Sequence, residues 1–96
     1  MKTYRAHLSE KLKDKNFRQQ YEEEKQLAEL SVRLLEFREQ RRLTQKEVAR
    51  QANVTQQQLS KLENGVNCNV TTFLRVCNAL GLQLELSQPK RRTPVA

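Results

Sequence analysis

Residues that break helices are scarce in this chain, with two Gly and two Pro in 96 positions. Gln, Glu, Lys, Arg and Leu take their place. These straight-chain residues favour helix, so a mainly α protein is expected. Trp is absent, and hydrophobic residues make up 36%. A chain this short buries a modest core, which a partner subunit would help to stabilise. No apolar run is long enough to span a membrane, and residues 1–7 lack the apolar stretch of a signal peptide. Cys68 and Cys77 stand nine residues apart with one distant histidine, which is not a metal-ligand spacing. They are expected to be small buried or half-buried hydrophobes in a reducing cytoplasm. His7 has no nucleophile beside it, and Gly-rich phosphate loops, paired catalytic carboxylates and CxxC are missing. These absences argue against an enzyme, a resident metal and a cofactor.

The formal net charge is +7, and it is unevenly placed. Residues 38–61 hold six basic side chains (Arg38, Arg41, Arg42, Lys46, Arg50 and Lys61) against Glu39 and Glu47. Positive charge gathered on one segment suits a polyanion, because binding releases counterions condensed on nucleic acid. Charge alone fits a solvated basic surface equally well.

The chain divides into four stretches: a helical extension over 1–27, a domain over 28–81, a strand over 82–87 and a basic tail over 88–96. In the first, Leu8 and Leu12 are four apart, as are Phe17 and Tyr21, but the two pairs face different sides of a continuous helix. A short helix near 5–12, a break with Asp14 as N-cap, and a helix from about 15 are therefore expected. A further helix runs from about Leu27 to Arg41, with Leu27, Leu30, Leu34, Phe37 and Arg38 on one side. Val32 and Leu35 lie on another side, which suggests a second contact with the extension or with another subunit. Thr44 and Glu47 have the spacing of a capping box, and Thr55 and Gln58 repeat it. Asn53 ends the first of these helices in a tight turn, and Asn64-Gly65 ends the second. Val70, Phe73, Leu74, Val76, Cys77 and Leu80 mark one more helix, which Gly81 stops. Leu82-Gln83-Leu84-Glu85-Leu86-Ser87 alternates with period two and reads as a β-strand. A lone strand leaves its backbone unpaired, and the same strand from a second copy would remedy that. The tail, with Lys90-Arg91-Arg92 and two Pro, reads as flexible.

Two short helices across a tight turn form a helix-turn-helix, packed here by Val48, Ala49, Val54, Leu59 and Leu62. The run Leu43-Thr44-Gln45-x-x-Val48-Ala49, then Val54-Thr55-Gln56-Gln57-Gln58-x-x-x-Leu62-Glu63-Asn64-Gly65, resembles the lambdoid phage repressors and the wider Cro/CI (Xre) family over about residues 28–81. The resemblance implies a five-helix lambda-repressor-like domain. With the N-terminal helical extension and the C-terminal strand pairing across a homodimer, that is the expected fold. It implies that Gln56 and Gln57 read bases, with Lys61 as a third reader and Ser60 assisting. A Gln amide can clamp adenine through N6 and N7, and Lys can donate to guanine. Gln45 and Asn64 match phosphate-contacting positions. Thr44, Lys46, Thr55, Arg41 and Arg42 join them as backbone contacts, which set register while base contacts set sequence. Arg38 and Glu63 match an internal salt bridge. Gln58, at the third helical position, caps rather than reads. The family often carries an apolar residue where Arg41 stands, which puts the core in question at that point.

The leader Leu12-Lys13-Asp14-x-x-Phe17-Arg18-x-x-Tyr21-Glu22 is similar to that of HigA-like antitoxins, whose N-terminal segment docks on a RelE/HigB-type toxin, a small ribosome-associated mRNA endonuclease. The strand resembles the dimer strand of HipB-like repressors. These likenesses imply a bacterial, cytoplasmic antitoxin that binds operator DNA and represses its own operon. Leu12, Phe17, Arg18, Tyr21 and Leu27 would hold the toxin, and Leu82, Leu84 and Leu86 the second copy. Glu22-Glu23-Glu24 either faces a basic cleft or is solvated. A phage or host repressor without a toxin, and a protein inhibitor with a vestigial helix-turn-helix, are the rival readings.

Overall fold

A computed structural model describes residues 3–89; the basic run at Lys90-Arg91-Arg92 lies outside them. Among the described residues there are five helices: α1 (Tyr4–Lys11), α2 (Lys15–Gln40), α3 (Gln45–Ala52), α4 (Gln56–Glu63) and α5 (Val70–Ala79). The chain is mainly α, as its composition requires.

The helices are divided differently from the expectation. The stop before Asp14 is present, and its carboxylate accepts from the amides of Asn16 (2.9 Å) and Phe17 (3.1 Å). No break follows near Leu27. One helix of 26 residues crosses the expected boundary between extension and domain, and at 1.5 Å per residue it is about 39 Å long. Residues 22–30 are Glu, Lys, Gln, Leu and Ala, with no Gly, Pro or capping side chain to end a helix. The apolar side that begins at Leu27 is therefore a change of surroundings along one rod, while the change of face between Leu12 and Phe17 does coincide with the break at Asp14.

Only the C-terminal half of α2 enters the core. Leu34 is buried and Phe37 half-buried against Val48, Ala49, Ala52, Leu59, Leu62, Val76, Cys77 and Leu80. In the N-terminal half no residue before Ser31 is fully buried. The extension does not cover Val32, which is 52% exposed; residues 15–30 belong to the same helix as Val32. Leu35 is half-buried.

Ser31 ties this helix to the end of α4. Its buried hydroxyl lies 2.8 Å from the Leu27 carbonyl and 2.7 Å from the Leu62 carbonyl, so its single hydrogen is shared between them. Leu62 O belongs to the last turn of α4, where carbonyls lack helical partners. A hydrogen bond of this kind is worth about 1 kcal/mol. Gly65 passes close by: a Cβ there would stand 3.7 Å from Ser31 Oγ.

Four helices end in the same closure, in which a left-handed residue turns the chain and the next amide bonds five residues back. The pairs are Leu43 N to Arg38 O, Val54 N to Ala49 O, Val66 N to Lys61 O and Leu82 N to Cys77 O. The left-handed residues are Arg42, Asn53, Gly65 and Gly81. Gly takes this conformation without strain and Asn tolerates it, whereas for Arg it costs about 1 kcal/mol or more.

After Leu82 the described backbone up to residue 89 forms no strand. A strand requires a partner for its backbone groups, and the single chain provides none. Leu82 packs half-buried against the core, Leu84 is exposed, and Leu86 is 98% exposed. Both cysteines are free thiols, Cys77 buried and Cys68 half-buried, and burial raises the pKa of each.

Candidate nucleic-acid interface

The two short helices are set by their caps and by a small contact residue. Thr44 Oγ1 accepts from Glu47 N at 3.1 Å and starts α3. The Glu47 carboxylate does not return to the cap amide as a capping box would; it accepts from the Thr44 hydroxyl itself at 3.1 Å. The reciprocal box forms at α4, where Gln58 N donates to Thr55 Oγ1 (3.0 Å) and Thr55 N to Gln58 Oε1 (2.8 Å). Gln58 is thereby used as a cap. Ala49 is buried between α3 and α4, and Val48, Leu59 and Leu62 seal the contact. Arg75 of α5 closes the turn from the other side, donating to Asn53 O at 3.4 Å.

This packing leaves one face of α4 outward. Gln56, Gln57 and Lys61 are exposed and Ser60 is half-buried, at the i, i+1, i+4, i+5 spacing of a single helix face. Among the described residues no side-chain hydrogen bond restrains Gln56, Gln57 or Lys61. Ser60 is engaged: Asn64 Nδ2 donates to its carbonyl (2.7 Å) and lies 3.4 Å from its hydroxyl. Thr55 and Asn64, at the two ends of α4, are exposed, as are Thr44, Lys46 and Arg42 around the start of α3. The Thr44 hydroxyl donates to the Glu47 carboxylate and accepts from the Glu47 amide, both inside its cap.

Arg41 stands at the end of α2. Its guanidinium sits 5.7 Å from the centre of the Phe37 ring, and its Nη2 would be 3.8 Å from a Cβ on Gly81. That places it beside the C-terminal end of α5, where a cation is favoured by the helix dipole.

The one acid of α4, Glu63, is withdrawn from this face. Arg38 Nε donates to its Oε2 at 2.6 Å and Arg38 Nη2 to its Oε1 at 3.2 Å. Gln45 Nε2 donates to Oε1 at 2.7 Å, and the remaining Arg38 nitrogen, Nη1, donates to Leu43 O at 2.8 Å. The Glu63 side chain is 5% exposed and that of Arg38 15%. One carboxylate therefore joins α2, α3 and α4, and negative charge that would repel phosphate is neutralised inside.

Sequence reasoning missed Ser31 and the Gln45–Glu63 bond. A serine within an apolar helical pattern was the available signal for the first. Nothing in the sequence indicates the second, because the partners are 18 residues apart on different helices.

The remaining expected residues lie apart from this face. Phe17, Tyr21 and Leu27 of α2 and Leu12 at the end of α1 are half-buried, and Arg18 is exposed. Lys11 places its ammonium 5.6 Å from the Phe17 ring centre. Glu22, Glu23 and Glu24 are exposed, with Glu23 accepting from Gln19 one turn away at 3.2 Å. Leu82 and Leu84 line an open groove with Leu30, Phe37, Phe73 and Cys77.

Compared with known proteins, the chain matches a family model described as Helix-turn-helix over residues 34–86, more than half its length. No curated protein matches it.

Removing either member of the buried pair strands the other charge. Arg38→Ala or Glu63→Ala is expected to lower unfolding free energy by about 3–5 kcal/mol in urea denaturation. Arg38→Lys should not restore it, since an ammonium cannot reach both carboxylate oxygens and Leu43 O together.

Proposed function

Because this chain belongs to the helix-turn-helix family of Cro/CI (Xre) type and is a DNA-binding transcriptional regulator, we propose that it is a homodimeric, sequence-specific repressor that also neutralises a toxin as its antitoxin. The observation that carries the first half is the outward face of α4, which presents Gln56, Gln57 and Lys61 unengaged while the helix's acid is buried. In a major groove Gln56 and Gln57 clamp adenine edges, Lys61 donates to guanine, and Ser60 assists. Each such contact discriminates by about 1–3 kcal/mol.

Phosphates meet the start of α3 through Gln45 and Lys46, whose backbone amides have no helical acceptors. Thr44, Thr55, Asn64 and Arg42 flank them. Arg42 holds a left-handed conformation that Gly would adopt freely, a strain that makes sense at a position serving a ligand. Arg41, exposed at the end of α2 with its guanidinium beside Phe37, adds a further backbone contact.

The dimer forms through residues 82–87. Leu84 lines the groove between α2 and α5, Leu84 and Leu86 both expose apolar surface, and a second copy of the segment would pair the backbone that one chain leaves open. The two α4 helices would then enter successive major grooves about 34 Å apart on a palindromic operator.

The antitoxin role rests on the leader's likeness to HigA-like proteins and on its freedom from the core. Leu12, Phe17, Tyr21 and Leu27 provide apolar anchors and Arg18 a polar one, on helices with no buried residue before Ser31. The partner they suit is a small basic RelE/HigB-type toxin.

Three measurements test these contacts. Gln56→Ala/Gln57→Ala should abolish discrimination between operator and random DNA in a mobility-shift assay while leaving the melting temperature unchanged; undiminished discrimination would refute base reading. Deleting residues 1–26 should eliminate co-purification of the toxin encoded beside this gene, and retained binding would move the interface elsewhere. Deleting residues 82–96 should leave a monomer in analytical ultracentrifugation, against which a persistent dimer would count.

A further inference from the structure

Gln45 stands at the start of α3, and its side-chain amide donates to the buried carboxylate of Glu63. We propose that Glu63 is also a positioning residue for DNA binding, holding the Gln45 side-chain amide so that its second Nε2 hydrogen is presented to phosphate. The role rests on the DNA-binding reading and deepens it.

The argument begins with what each group can exchange. A carboxylate paired with a guanidinium accepts hydrogen bonds and donates none. It can meet the amino group of a Gln side chain and never the carbonyl, so the 2.7 Å contact between Gln45 Nε2 and Glu63 Oε1 fixes which way the amide faces. Without that anchor the amide turns freely and offers its carbonyl oxygen as readily as its amino group. A carbonyl oxygen facing phosphate is repulsive.

Burial then sets the direction of the other hydrogen. Glu63 is 5% exposed, so the hydrogen it accepts points inward. The two hydrogens of a planar amino group diverge, so the second points away from the carboxylate, and Gln45 itself, at the first position of α3, is only half-buried. Arg38 completes the arrangement: its two bonds to Glu63, and a third to Leu43 O, keep the carboxylate from turning away.

A double-mutant cycle separates this role from a structural one. Phosphate contacts carry no sequence information, so the probe is a random-sequence duplex of about 20 base pairs at low ionic strength. Binding is read by fluorescence anisotropy at a temperature where circular dichroism shows wild type, Gln45→Ala, Glu63→Gln and the double variant all folded. Glu63→Gln should weaken binding by about 2- to 10-fold, the scale of releasing one rotamer-rich side chain. In the Gln45→Ala background the same substitution should change nothing further. Equal losses in both backgrounds, or no loss in either, would overturn the role.

A second measurement needs no variant. In nuclear magnetic resonance spectra of the wild type, one Gln45 Nε2 proton should shift on adding duplex while its geminal partner, held by Glu63, stays in place. Two protons that move together, or neither moving, would overturn the role as well. Failure of the wild type to bind any duplex would overturn the DNA-binding reading itself; binding without coupling overturns only this role.

Discussion

A carboxylate loses its water when it is buried, and it is tolerated only where hydrogen-bond donors replace that water. Glu63 has three such bonds, two from Arg38 of α2 and one from Gln45 of α3. Each donor comes from a helix that must stand in one place for the bond to form. The orientation of α4 against α2 and α3 is therefore specified more sharply than by the apolar contacts of Val48, Leu59 and Leu62, which tolerate small slides. The outward direction of Gln56 and Gln57 follows from that orientation. So does the sign of the surface, since the one acid of α4 is the group that is neutralised.

Ser31 acts at the same junction by gentler means. Its hydroxyl reaches a carbonyl in the last turn of α4, so α2 grips the recognition helix at two points, Ser31 and Arg38, seven residues or about two turns apart along one face. The same α2 continues outward as the surface proposed for a toxin. The proposed DNA, dimer and toxin contacts use different parts of the chain: the outer face of α3 and α4, the groove between α2 and α5 with residues 82–87, and α1 with the first half of α2. The dimer and toxin contacts both draw on α2, which also braces α4 from behind.

Local chemistry was readable wherever neighbours in sequence were also the partners. Asp14 as a cap, Asn53 as a left-handed turn, the Thr55–Gln58 box and the stop at Gly81 all follow from side chains within a few residues of the backbone they serve. Glu47 departs from the box in that its carboxylate accepts from the Thr44 hydroxyl. The apolar stripe that begins at Leu27 marks where the helix nears the core and not where a helix starts. Along a helix only half of which meets a core, the apolar pattern shifts with its surroundings while the backbone continues.

What the sequence determined alone is the helical class, the caps at Asp14 and Thr55, the turns at Asn53, Gly65 and Gly81 and the register of the helix-turn-helix, because those depend on interactions spanning a few residues and on the packing periodicity of a helix. Tertiary structure decided where the long-range partners fall. It placed Ser31 against Leu62, Gln45 against Glu63 and Arg41 beside Gly81. It also left Leu86 bare, because covering an alternating segment takes a second surface that a single chain of this size does not form. Contacts between side chains far apart in the chain depend on how helices cross, and that angle is set only when all the buried surfaces pack at once.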